Sequence, residues 1–193
     1  MRLFVALDIP EDVRAAIGTL IAKLRVVCRS ARWVRIEGAH ITMKFIGEVP
    51  AEKAEDIKAG LASVPFSTPI QMIFRGLGFF PDERRPRVLW AGIEANADLG
   101  ALAAATETAL EPLGIARERR VFSPHLTLAR FESPRGLDGL NASIAETGPI
   151  EFGRTIANAF HLYESVLKRS GAEYTRLATY ICAGSPSGLS VIK

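Results

Sequence analysis

The stretch "GAHITMKFIGEVP", residues 38–50, is typical of a β-strand with one face in a protein core. Side chains alternate between the two faces of a strand, so His40 and Thr42 share one face. The other face is then apolar and carries Ile41, Met43 and Phe45. A core strand has no structural need for a histidine and a hydroxyl, which makes this polar face a candidate for chemistry.

The same pattern returns in "HLTLAR", residues 125–130, where His125 and Thr127 again alternate with leucines. The chain has three histidines, and two of them stand in this H-x-T frame. One copy would be weak evidence, because a lone histidine on a strand is more often an ordinary hydrogen-bonded residue. If the two strands lie side by side under an internal pseudo-symmetry, their polar side chains converge on one groove.

Outward from the two motifs, the hydrophobic periodicity predicts an α+β fold. Four helices are expected at about residues 11–27, after Pro50, at about 98–111 and after Pro134, with strands between them. Residues 153–167 read as one strand and residues 173–183 as the last. The order strand, helix, paired strands nearly repeats, which predicts two pseudo-symmetric lobes of antiparallel sheet flanked by helices, with a central groove.

Composition predicts a soluble protein with a single domain, residues 1–193. Apolar residues make up 48% of the chain and charged residues 23%, and no low-complexity linker divides it. The net charge of +3 permits a polyanionic partner without requiring one. The positive residues include two clusters of arginines. The first is Arg84, Arg85 and Arg87, and the second is Arg117, Arg119 and Arg120.

The cysteines and the apolar segments favour a cytoplasmic location. Cys28 and Cys182 are far apart and lack C-x-x-C spacing, so neither a disulfide framework nor a thiolate metal site is indicated. The first apolar run is too short for a signal peptide, and no stretch is long and apolar enough for a membrane span. We therefore expect no membrane partner.

The two histidines and two threonines suit displacement at phosphorus better than metal binding. Zinc normally takes three or four ligands from histidine, cysteine or carboxylate, and two histidines with two hydroxyls are a poor cage. One imidazole can deprotonate the attacking oxygen while the other protonates the leaving oxygen. A cyclic phosphate fits this chemistry, because its ring strain reduces the need for a metal. Spacing alone leaves open which histidine is the acid.

Several stretches resemble one protein family. The paired motifs, together with "RLFVALDIPEDVR", "WVRIEGAHITMKFIGEV" and "RRPRVLWAGIE", are similar to the 2H phosphoesterase superfamily. The closest resemblance is to the bacterial RNA 2',3'-cyclic phosphodiesterase (2'-5' RNA ligase-like) family. It implies a bilobal α+β fold and hydrolysis of RNA-terminal 2',3'-cyclic phosphate to a 2'-phosphate, without metal or cofactor. A weak reverse 2'-5' ligation is also implied.

The resemblance also implies residue roles. His40 is the expected proton donor to the 3' leaving oxygen, His125 is the expected proton acceptor, and Thr42 and Thr127 are expected to bind the phosphate. Arg130 is a further substrate-binding candidate. Strict alternation places it on the face opposite His125, however, so it could reach the phosphate only if the strand ends or twists.

Four neighbouring residues have a second interpretation beside the functional one. Lys44 is expected on the His40 face, either lining the groove or simply solvated. His161 lacks a following threonine and is expected to be a packed strand residue. Trp33 and Phe45 could stack a base, but their apolar flanks favour the core.

Three functions stay open from the sequence. The first is hydrolysis at RNA 2',3'-cyclic phosphate ends by a monomeric enzyme. The second is the same chemistry on a small cyclic nucleotide. The third is a non-catalytic RNA or nucleotide-binding module, although such a module needs only the cations and hydroxyls, not two histidines.

Overall fold

The computed structural model describes residues 1–168 and 171–184, which contain four α-helices and nine β-strands. The helices are α1 (Glu11–Val27), α2 (Lys53–Ala62), α3 (Ala97–Leu110) and α4 (Asp138–Thr147). The strands are β1 (Arg2–Asp8), β2 (Arg32–Trp33), β3 (His40–Glu48), β4 (Ile70–Phe80), β5 (Val88–Ala95), β6 (His125–Arg130), β7 (Glu151–Ala157), β8 (Ala159–Lys168) and β9 (Gly171–Ile181). Short 3₁₀ turns occupy Ile36–Gly38 and Glu111–Leu113.

The strands form two antiparallel sheets, as predicted for an α+β protein with two lobes. The first sheet has the order β3-β1-β8-β9, and the second has the order β2-β6-β5-β4-β7. Helices α3 and α2 contact β3 and β9 of the first sheet, whereas α1 contacts β7 of the second sheet and α4. Because β1 and α1 belong to different lobes, the lobes are not successive halves of the chain.

The core lies between the sheets and their helices. Alternate residues of β1, Leu3, Val5 and Leu7, are fully buried. Helix α1 contributes its apolar stripe: Val13, Ile17, Leu20, Ile21 and Leu24. Burying each such side chain contributes about 1.5–3 kcal/mol, so these stripes fix one face of each sheet against helices. The opposite face of each sheet, called the open face below, carries the polar residues.

The prediction of a single strand over residues 153–167 is wrong. The segment forms β7 in the second sheet and β8 in the first, with Asn158 between them. The carbonyl of Asn158 accepts a hydrogen bond from the amide of Cys182 at 2.8 Å, which holds the crossing point. The residues on either side of Asn158 both have a strand-like pattern, and nothing in that pattern shows which sheet each half joins.

The sequence pattern of "RWVRI", residues 32–36, predicts a strand, and the observed strand is shorter. Only Arg32–Trp33 pair with β6, and the chain then turns through the 3₁₀ turn before β3. The four predicted helices are present, including α4, where Leu140 is fully buried. In the described part of the chain, no helix has the length and apolar character needed to cross a membrane.

Candidate active site

The two H-x-T motifs open two strands of different sheets. His40 is the first residue of β3 and His125 is the first residue of β6. The two strands are not hydrogen-bonded neighbours, but their Cα atoms approach within 8 Å. The strands that carry the motifs therefore contact each other at the junction of the two lobes, rather than lying side by side in one sheet.

Each histidine ring is held by the same backbone contact. Nδ1 of His40 lies 2.8 Å from the carbonyl oxygen of Gly38, and Nδ1 of His125 lies 2.8 Å from that of Ser123. A carbonyl oxygen can only accept, so Nδ1 carries the hydrogen in both rings. Nε2 is then the ring nitrogen that can take up or release a proton in each motif.

Both strands also carry a bulge at the third residue after the histidine. In the β1–β3 pair, Val5 opposes Lys44 and Ala6 opposes Thr42, so Met43 is left without a partner. In the β5–β6 pair, the extra residue is Leu128. A bulge inserts one residue and reverses the alternation beyond it. The fifth residue after each histidine consequently returns to the histidine face.

The bulge overturns two predictions about the first motif. Phe45 was expected in the core and is 51% exposed, under the guanidinium of Arg2. Lys44 was expected on the His40 face and is instead 4% exposed, on the core side. Its Nζ lies 2.6 Å from a carboxylate oxygen of Glu107, so it forms a buried ion pair with α3.

In the second motif, the bulge brings Arg130 back to the His125 face. Arg130 pairs with Val88, two residues from Trp90, which opposes Thr127. Residues directly opposite in an antiparallel pair have side chains on the same face. Arg130 is exposed there, so the change of face that the predicted substrate-binding role requires is present.

Aromatic rings pack against His40. Its ring stacks on Phe4 with centroids 4.4 Å apart and meets the edge of Tyr174 at 5.1 Å. Burial lowers the pKa of His40, while the hydrogen bond to Gly38 and the charge of Asp8 oppose that change. Thr42 lies beside it on the same face.

The surroundings of His125 are more open. Its ring meets the edge of Phe80 at 4.9 Å, and Phe80 in turn packs against Trp90. Trp90 lies flat on the sheet, since a Cβ added at Gly78 would collide with its ring. The indole nitrogen of Trp90 has no hydrogen-bond partner among the described residues.

Comparison with known proteins identifies the family. Residues 7–90, which include the first motif, match the model described as LigT like phosphoesterase. A protein of Aeropyrum pernix named RNA 2',3'-cyclic phosphodiesterase is 37% identical over 153 residues, which are 79% of this chain and 86% of that protein. A protein of the same name from Archaeoglobus fulgidus is 33% identical, covering 93% of this chain and 99% of its own length.

The chain belongs to the LigT-like phosphoesterases of the 2H superfamily. This confirms the predicted family and the prediction of an enzyme that hydrolyses phosphoric diesters. Solved structures agree with the fold of this LigT-like phosphoesterase. A Thermus thermophilus protein has a TM-score of 0.79 at 34% identity, covering 95% of this chain and 99% of its own. E. coli LigT complexed with 3'-AMP has a TM-score of 0.77 at 26% identity, with coverages of 94% and 98%.

Sequence reasoning missed a polar network on the open face of the first sheet. Asp8 lies directly opposite His40 in the β1–β3 pair. Tyr163 donates a hydrogen bond to one carboxylate oxygen of Asp8 at 2.5 Å, and Arg176 donates to the other. A charged residue ending the apolar run "RLFVALD" was an available signal for Asp8. No local signal marks Tyr163 and Arg176, because strand register alone brings them there.

Two of the neighbouring residues behave as the sequence favoured. His161 is 6% exposed, with Nδ1 3.0 Å from the hydroxyl of Thr179, so the prediction of a packed strand residue is confirmed. Trp33 is half-buried, and its indole nitrogen donates to the carbonyl of Cys28 at 2.9 Å. Among residues 1–168 and 171–184, no group of three or more histidine, cysteine or carboxylate side chains is placed to hold a metal ion.

Proposed function

We propose that this LigT-like phosphoesterase hydrolyses RNA-terminal 2',3'-cyclic phosphates to 2'-phosphates by acid/base catalysis with two histidines. The observation that carries the proposal is that His40 and His125 are held in the same way. In each ring, Nδ1 is hydrogen-bonded to a backbone carbonyl oxygen, which leaves Nε2 to exchange protons. The names of the relatives from Aeropyrum pernix and Archaeoglobus fulgidus support this substrate.

The proposed reaction is an in-line displacement. His125 removes a proton from water as the water oxygen forms a bond to phosphorus, and the bond from phosphorus to the 3' oxygen breaks. His40 gives its proton to that leaving oxygen, so each turnover exchanges the protonation states of the two rings. Positioned acid/base groups of this kind contribute typically about 10²–10⁴-fold to the rate.

The neighbouring polar groups stabilise the phosphate rather than move protons. The hydroxyls of Thr42 and Thr127 lie on the histidine faces and donate to the non-bridging oxygens. Arg130 offsets the negative charge that develops on those oxygens, and its planar fork suits two of them at once. Ring strain drives the opening of the cyclic phosphate, so the mechanism requires no metal. With a 5'-hydroxyl in place of water, the same displacement forms a 2'-5' linkage.

The decisive experiment uses an oligonucleotide that ends in a 2',3'-cyclic phosphate, with excess EDTA present. The wild type should give a 2'-phosphate product, identified by its mass and its resistance to a 3'-phosphate-specific phosphatase. His40→Ala and His125→Ala should each lose most of the turnover, and Thr42→Ala and Thr127→Ala should lose part of it. Thr19→Ala, on helix α1, is the matched control. Full turnover in either histidine variant, or no turnover without added metal, contradicts the proposal.

A second candidate is the same chemistry on a small cyclic nucleotide. The similarity to E. coli LigT complexed with 3'-AMP favours it, because that relative holds a mononucleotide. Comparing kcat/KM for 2',3'-cyclic AMP with kcat/KM for the oligonucleotide separates the two substrates. A preference for the mononucleotide would transfer the proposal to the small substrate without changing the residue roles.

A further inference from the structure

We infer that Asp8, held by Tyr163 and Arg176, is a positioning residue that favours the protonated form of His40, the form that a proton donor needs. This inference rests on the proposed function and deepens it. Asp8 lies on the strand next to His40, outside both motifs, and no carboxylate lies opposite His125.

Strand register places Asp8 beside His40. Asp8 is the residue directly opposite His40 on β1, and Gly92 is the residue directly opposite His125 on β5. Side chains directly opposite in an antiparallel pair have Cβ atoms about 4.5–5.5 Å apart. His40 therefore has a carboxylate neighbour, and the equivalent place beside His125 has no side chain at all.

The carboxylate of Asp8 is fixed. Tyr163 donates to it at 2.5 Å and Arg176 donates to its second oxygen, while Arg176 also donates to the hydroxyl of Tyr163 at 3.1 Å. Burial, followed by the bond to Asp8, raises the pKa of Tyr163 to about 12. Tyr163 is thus a permanent donor near neutral pH, and Asp8 is held in one place.

Nearby charges affect the protonation of a histidine ring. A proton donor must be charged when the leaving bond breaks, and a proton acceptor must be neutral. Burial lowers the pKa of His40, and the negative charge of Asp8 acts against that change. Directly opposite His125, Gly92 offers no charged side chain. Asp8 thus favours the charged form of His40, which a proton donor needs, against the opposing effect of burial.

Other charged or titratable groups share the surroundings of His40. They are Tyr163 on β8 and Tyr174 on β9, whose rings contact His40, and His161 and Arg176, which contact Asp8; Arg35 and Glu37 precede His40 in the chain, at the turn before β3. His161 is buried, and burial lowers its pKa, which favours the neutral form. Arg176 is the cation that directly offsets Asp8, so removing either partner should move the protonation of His40, in opposite directions.

The test measures the protonation of His40 directly. The pKa of His40 is followed by NMR of its ring signals, assigned with His40→Ala, in the wild type, Asp8→Asn and Arg176→Gln. Asp8→Asn should lower it by about one unit, the shift typical of losing a nearby opposite charge. Arg176→Gln should raise it. Asp12→Asn at the start of α1 is the matched control and should change nothing.

Turnover of the cyclic-phosphate oligonucleotide gives the second readout. In the pH profile of kcat, Asp8→Asn should move the alkaline limb to lower pH and reduce kcat about tenfold above that limb, since one unit changes the protonated fraction tenfold. The side chain of Arg176 is exposed, so Arg176→Gln keeps the test available if Asp8→Asn fails to fold. An unchanged pKa of His40 in either folded variant overturns the inference. No turnover by the wild type overturns the proposed function instead.

Discussion

The two H-x-T strands share their backbone and differ in their surroundings. Each holds its histidine through Nδ1 and a carbonyl two residues earlier, and each has a bulge at the third residue after the histidine. His40 lies among aromatic rings opposite Asp8, whereas His125 lies opposite Gly92 on the face that carries Arg130. The shared backbone supports the proposal of two proton carriers, and the carboxylate of Asp8 is the difference that we propose to favour His40 as the donor.

The largest effect on turnover should come from the histidine variants. A substrate whose leaving group needs no proton then shows which histidine is the acid. On a cyclic-phosphate oligonucleotide, His40→Ala and His125→Ala should each lose about 10²–10⁴-fold in kcat. On a p-nitrophenyl phosphodiester, His40→Ala should regain activity close to the wild type, because p-nitrophenolate leaves unprotonated. His125→Ala should stay slow on both substrates. The reverse pattern, measured by release of p-nitrophenol, would exchange the two roles.

The next largest effect should be on stability, at the fourth position after each histidine. Lys44 occupies it in the first motif and the buried Ala129 in the second. Lys44→Met should cost about 3–5 kcal/mol of unfolding free energy, because Glu107 is left as an unpaired charge that is only 16% exposed. Urea denaturation measures this loss. The double variant Lys44→Met/Glu107→Leu should recover much of it, and equal destabilisation of single and double variants would show that the ion pair is not the cause.

The fifth position should distinguish phosphate binding from packing. Arg130→Ala should lower kcat/KM about 10–100-fold, since a hydrogen bond to a charged group contributes about 1.5–3 kcal/mol. Phe45→Ala, the equivalent change in the first motif, should have a smaller effect because Phe45 carries no charge. Arg130→Lys should restore part of the loss, as one cation remains without the planar fork. Equal losses for Arg130→Ala and Phe45→Ala would argue against phosphate binding by Arg130.

The smallest effect should be on stability as the pH falls. Burial lowers the pKa of His40 in the folded protein, and the unfolded imidazole keeps a value of about 6.5. The unfolded state then binds more protons below that pH, so Tm should fall as the pH decreases through about 6.5. His161 contributes in the same direction. His40→Asn should flatten part of this dependence, and a slope unchanged from the wild type would show that His40 is not responsible.

Local patterns were sufficient for much of the fold. The periodicity of α1, the apolar run of β1 and the alternation at the start of β3 depend on residues close in sequence, so the four helices and the two-lobed α+β class could be predicted. The crossing at Asn158 could not, because the strand-like pattern of residues 153–167 does not show which sheet each half joins.

The sequence by itself determined the pair of histidines, their threonines and the family, because the H-x-T spacing is repeated within one chain. The tertiary structure decided which faces the later residues of each motif take. The bulges at Met43 and Leu128 depend on pairing with β1 and β5, and they alone move Phe45 and Arg130 to the histidine faces. The tertiary structure also placed Asp8 opposite His40, since register is set by contacts between strands and not by either strand's own residues.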